Sequence, residues 1–325
     1  MSEVLTEDRK PRVIAGFGRS GTTWVQDVLA ASNSLRAVFE PLHPDVFHDA
    51  GSHAHAYRNS GDEDTALYEF LQKYFSENFH SLWVDYRIRL DLLAPRFGDP
   101  NSWGQNKRYL RRIRESGKNY FLYRTQRRFD QRIVKLVRAN MMLSWLKEKW
   151  GARIVFLIRH PAAIVLSQMK SPSIWKPQFR IASYRTDSRL LDELNASTRK
   201  LLFEELDDIE AVTLSWCIEN TIAFRQAKEQ EICVVYYEHL VEKGLPEWRR
   251  MMTALSLEVV PDADLISRPS QQTSGDQALD RDLVSQYASW MTRIDDNTAA
   301  RIQKVLDATK CGIYRIDQAL PLMDL

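Results

Sequence analysis

Three glycines stand close together in the run Gly16-Phe17-Gly18-Arg19-Ser20-Gly21-Thr22-Thr23-Trp24. An apolar stretch, Arg12-Val13-Ile14-Ala15, precedes it, and a segment of helical periodicity, 22–31, follows. A glycine turn from a strand into a helix aims backbone N–H groups into one concavity, beside the positive end of the helix dipole. Phosphate and sulfate oxygens suit that place. Thr22 and Thr23 add hydroxyl donors, and Arg19 adds a planar cationic fork. The run is not the nucleotide-hydrolase loop G-x-x-x-x-G-K-[ST]. Gly16 and Gly21 have the right separation, but Thr22 stands where the lysine belongs. The apolar run at 153–158 ends in Arg159 rather than in an acid that would help hold magnesium. The chemistry expected is anion binding without a metal.

Positioning such a loop needs a strand behind it and a helix in front. Apolar runs at 12–17, 35–39, 133–137, 153–158 and 232–236 read as strands. Helical patterns at 22–31, 64–80, 140–150, 161–169, 203–229, 239–255, 278–290 and 297–309 separate or follow them, with Gly151 placed to end one. The stretches 43–62, 95–106 and 260–277 read as loops, and 170–200 is polar with no clear period. Strand–helix alternation predicts an α/β fold, a central parallel sheet with helices on both faces. The chain reads as a single domain, 1–325, with insertions near 43–130 and 170–230.

Composition narrows the class. With 44% hydrophobic and 27% charged residues, the 325-residue chain is ordinary globular material. Its net charge of +2 favours no partner. The run 107–138 holds twelve Lys or Arg against two acids; it suits a solvated helix face, or an acidic acceptor. No nucleic-acid-binding motif is present, and none of that binding is expected. Cys217, Cys233 and Cys311 have no ligand or disulfide spacing. His43, His48, His53 and His55 follow no metal-ligand pattern. There is no apolar run of transmembrane length and no apolar leader in the acidic N-terminus, so a soluble cytoplasmic protein is expected.

The loop segment Arg19-Ser20-Gly21-Thr22-Thr23-Trp24 resembles the 5′-phosphosulfate loop, [KR]-x-G-T-[TS]-x, of the sulfotransferase superfamily. The resemblance implies a P-loop nucleotide-kinase-like fold, the donor 3′-phosphoadenosine 5′-phosphosulfate (PAPS, leaving PAP), and no metal. It also implies a second signature, found as Arg159-His160-Pro161 followed by Ser167, with Arg159 and Ser167 on the donor's 3′-phosphate. A guanidinium at a strand's carboxyl end and a helical hydroxyl can converge on a phosphate in the crevice beyond a sheet. Val234-Val235-Tyr236-Tyr237-Glu238-His239-Leu240 is similar to the family's late strand V-x-Y-E-x-L, which brings Tyr237 to the nucleotide. Ser289-Trp290 resembles the element after the nucleotide-covering loop, and Arg268 and Ser270 are weaker candidates within that loop.

Sulfuryl transfer asks for in-line positioning, charge stabilisation and a base for the acceptor hydroxyl. The resemblance matches Lys135 to a lysine on the sulfuryl group and leaving phosphate, a task shared with Arg19. The subgroup acting on small phenols and steroids carries its histidine in K-T-H. This chain has Lys135-Leu136-Val137, without it. Glu40, in Phe39-Glu40-Pro41-Leu42, is the expected base, with a carboxyl pKa raised by a dry site; the wording is closest to glycan and protein-tyrosine sulfotransferases. The acceptor is then a hydroxyl of a glycan, glycolipid or other metabolite, acidic ones included. Two other readings stand beside this one. A P-loop kinase or hydrolase is opposed by Thr22 at the lysine position. A non-catalytic nucleotide-binding module is opposed by the joint presence of Arg19, Glu40, Lys135, Arg159 and Ser167.

Overall fold

The computed structural model describes residues 10–77, 79–89, 103–267 and 287–322, with side chains omitted at 103–109. Five parallel strands form one sheet: β1 (Arg12–Gly16), β2 (Arg36–Phe39), β3 (Arg132–Leu136), β4 (Arg153–Ile158) and β5 (Cys233–Tyr236), in the order β2-β3-β1-β4-β5. Parallel pairing brings the carboxyl ends of all five to one edge. In register, Phe39 faces Lys135, Gly16 faces Leu157, and Ile158 faces Tyr236.

Alternation along each strand feeds two cores. Val13, Ala15, Val134, Leu136, Ile154 and Phe156 enter one. Ile14, Ile133, Val155, Leu157 and Val235 enter the other. Both faces are covered, which is why these strands read as continuous apolar runs. Helix α1 (Thr22–Ser32) and the helix Leu245–Ala254 cover the second face, through Val25, Leu29, Trp248 and Met251. The first is covered by helices that include Thr65–Phe75, Leu143–Trp150, Pro161–Gln168 and Asp208–Glu229. Gln26 of α1 donates 2.9 Å bonds to the carbonyls of Val38 and Ile133, locking α1 against β2 and β3.

Several elements differ from the sequence reading. The helix expected at 203–229 begins only at Asp208, because Asp207 caps it: its carboxylate accepts from the Ile209 and Glu210 amides at 2.8 and 3.0 Å, while Glu210 reaches back to the Asp207 amide. It is also buried nearly all round over residues 210–220. The segment 239–255 is two helices, Tyr237–Glu242 and Leu245–Ala254, broken before Pro246. The unreadable stretch 170–200 is a chain of short helices, Pro172–Trp175, Pro177–Thr186, Ser188–Glu193 and Ala196–Leu202. The loop expected at 95–106 is helical from Trp103. The helix expected at 278–290 lies almost wholly outside the described residues.

Candidate active site

The loop leaves β1 at the sheet's carboxyl edge, where open α/β sheets bind ligands. Gly21 takes φ 97° at the start of α1, and a Cβ there would sit 2.7 Å from the Tyr237 ring. At Gly18 a Cβ would meet the Trp175 ring at 2.3 Å. Both positions therefore require glycine. No side chain caps α1, so its first amides remain available to a ligand. The Ser20 hydroxyl beside them is buried and has no partner. The cleft over the loop encloses about 610 Å³, part of it open to solvent, and reaches Glu40, Lys135, Arg159, Trp175 and Tyr237.

Two guanidinium groups meet at this loop. Arg19, held at φ 81°, donates from Nε to the Ser167 hydroxyl at 2.8 Å. Arg159 donates to the Arg19 carbonyl at 3.2 Å and lies 4.1 Å above the Tyr237 ring. Burial and the neighbouring Arg159 both push the Arg19 pKa down. The Arg159 Nε is buried without a partner. Like charges held this close, with an orphaned donor, favour an anion between them. Tyr237 packs edge-on to Trp24 at 5.8 Å, and Trp24 donates to the Ile266 carbonyl at 3.0 Å. Trp290 stacks on His160 at 4.0 Å, directly behind Arg159. Arg268 and Ser270 lie outside the described residues.

Across the cleft, Glu40 takes φ 40°, a costly conformation for a residue with a side chain. Lys135 shares the sheet face of Ile133, toward α1, so its ammonium reaches both Thr23 Oγ1 at 2.7 Å and Glu40 Oε1 at 2.8 Å. It also lies 3.8 Å over the Phe39 ring. Arg138 takes the other Glu40 oxygen at 3.0 Å. Burial alone would raise the Glu40 pKa, but Lys135, then Arg138 and His43, outweigh it and hold it at about 2. The raised pKa expected for Glu40 is thus reversed, because two cations share its carboxylate. Burial lowers Lys135 to about 8 against the pull of Glu40.

The sequence reading missed Arg138, Trp175 and the support behind them. Arg138 was one charge among twelve in a basic run, and Trp175 lay in the unread stretch. Glu219, buried in the long helix Asp208–Glu229, accepts from Tyr184 at 2.5 Å and Asn140 at 2.7 Å and meets His55 at 2.9 Å. The His55 amide donates to the Arg138 carbonyl at 2.8 Å, so this cluster braces the turn that carries Arg138. A carboxylate inside the apolar run Trp216-Cys217-Ile218-Glu219 was the available signal. Among the described residues no group of three or more His, Cys, Asp or Glu is arranged to hold a metal ion.

Comparisons with known proteins add lineage to this geometry. The family model described as "Sulfotransferase family" matches residues 11–262. An uncharacterised protein of Archaeoglobus fulgidus is 22% identical over 283 residues, covering 75% of this chain and 83% of its own. A sulfotransferase domain from the curacin biosynthetic pathway superposes with a TM-score of 0.43 at 14% identity, over 92% of this chain and 96% of that one. The family match runs from the first residue before β1, through the glycine loop, Glu40, Lys135, Arg159 and Tyr237, to beyond the helix Leu245–Ala254. This chain belongs to the sulfotransferase family.

Proposed function

We propose that this protein transfers a sulfuryl group from PAPS to an acceptor hydroxyl, without a metal. The observation that carries the reading is the Arg19–Arg159 pair at an uncapped helix N-terminus, with Ser20 Oγ and Arg159 Nε buried and unpartnered. A donor with two anionic groups fits that arrangement: the 5′-phosphosulfate on the loop amides, Ser20, Thr22 and Thr23, and the 3′-phosphate at Arg159 and Ser167. Trp24 and Tyr237 offer aromatic surface to its base.

In the step itself, the acceptor oxygen attacks sulfur in line. A new S–O bond forms as the bond to the leaving phosphate oxygen breaks, and the acceptor proton passes to Glu40. Lys135 and Arg19 face the charge that builds on the leaving oxygen. With a pKa of about 2, Glu40 is a weak base while Lys135 holds it. Lys135 is its leading cationic partner, so a Lys135 that turns toward the sulfuryl group leaves Glu40 more basic. Segments 43–130 and 170–230 would shape the acceptor pocket, and the missing K-T-H histidine favours a glycan-type hydroxyl over a phenol.

The test is transfer of labelled sulfate from PAPS to a panel of hydroxyl acceptors, with PAP binding measured alongside. Glu40→Gln should keep PAP affinity and lose about 10²–10⁴-fold in transfer. Full activity in that variant removes Glu40 as base, and a wild type that does not bind PAP removes the donor.

A further inference from the structure

We propose that the helix Trp103–Tyr123 is a membrane-surface element that docks this protein on an anionic lipid bilayer. The inference does not rest on sulfuryl transfer. Among the described residues, the helix is anchored through its last turn. Tyr123 is buried, donates to Asp27 at 3.2 Å, and carries the Arg87 guanidinium 4.3 Å above its ring; Tyr120 packs against Tyr86 at 5.0 Å. Beside that anchored edge the helix presents large apolar groups to solvent, with Leu110 63% and Phe121 65% exposed and Ile113 also exposed. Positions 110, 113 and 121 fall within about 80° of one another on a helix, so these three side chains form one stripe. Large apolar side chains this exposed and set in a row are uncommon on a soluble surface and mark an interaction face.

Charge selects the occupant. Residues 110–129 hold seven Arg or Lys and a single acid, Glu115, itself paired to Arg111 at 2.8 Å. Arg114 and Lys118 follow one edge of the apolar stripe, and Arg124 lies 5.2 Å over the Phe121 ring. A second copy of this face would set seven cations against seven. A soluble acidic polymer would satisfy the cations and leave the leucine and phenylalanine in water. An anionic bilayer uses both: the apolar stripe enters the headgroup–acyl boundary and the flanking cations meet lipid phosphates. The docked helix would sit close to the cleft, because Arg87, which it anchors through Tyr123, also lies 4.5 Å over Phe39, the ring beneath Lys135.

Co-sedimentation of the full chain with phosphatidylcholine vesicles, with and without phosphatidylglycerol, tests this. The expected result is partitioning onto the phosphatidylglycerol vesicles alone, weakened about tenfold or more as NaCl rises from about 0.05 to about 0.5 M. Leu110→Asp with Phe121→Asp should abolish partitioning while circular dichroism is unchanged, since both side chains are in water already. Arg114→Glu with Lys118→Glu should weaken it about tenfold or more. The proposal is overturned by equal partitioning onto both vesicles, by none on either, or by an aspartate pair that partitions like wild type. It is equally overturned if heparin binds wild type and the aspartate pair alike, which makes a soluble polyanion the partner. A dimer in sedimentation equilibrium that the aspartate pair dissolves would assign the face to a second copy instead.

Discussion

Buried in β3 with its ammonium 2.8 Å from Glu40 and 2.7 Å from Thr23, Lys135 divides one charge between Glu40 and the glycine loop. Its pKa of about 8 means that the cation is present at neutral pH and is lost as pH rises through 8. Transfer should therefore fall on that alkaline limb, and Lys135→Arg should move the limb upward; pH–rate profiles check both. Glu40 gives a signal at the other end. Its folded pKa of about 2 lies below the usual 4.5, so it adds stability above pH 4.5 that is lost as pH falls toward 2. Melting temperatures measured down that range should fall more steeply for wild type than for Glu40→Gln. Gly18 bears on the loop alone. With a Cβ 2.3 Å from Trp175, Gly18→Ala must displace the indole, and calorimetry should show PAP affinity reduced by about tenfold or more.

The long helix Asp208–Glu229 matters to the site although it contributes nothing to the cleft lining. Trp216 donates from its indole to the Arg159 carbonyl at 3.1 Å, and Glu219 braces the turn below Arg138. Both Arg159 and Arg138 thus depend on one buried helix. Its start depends on Asp207, which caps two amides and pairs with Arg301. Asp207→Ala should cost about 1–2 kcal/mol in urea unfolding, with PAP affinity close to wild type when folded.

Over the whole molecule, the sheet is covered on both faces and the cleft sits on its carboxyl edge, so ligand binding should be read as global stability. PAP at about a hundred times its Kd should add about 2.7 kcal/mol and raise Tm by several degrees. Magnesium ATP should raise it less, because Thr22 replaces the lysine that would meet the β- and γ-phosphates. A larger shift with magnesium ATP would favour a kinase or hydrolase.

Much of this was legible in the chain itself. Parallel strands buried on both faces leave continuous apolar runs, and a strand–glycine–helix turn leaves its mark in consecutive residues. These features are local, so the sheet, the loop Gly16–Trp24 and the strand-end Arg159 followed from spacing alone. The state of Glu40 did not. Its neighbours Lys135 and Arg138 are about a hundred residues away in sequence and come beside it only when β2 and β3 pair, and that pairing turns an expected raised pKa into a lowered one. Trp175 over Gly18 and Glu219 behind Arg138 are likewise contacts between distant segments. Periodicity records which face of an element is buried; what meets that face is decided by the fold.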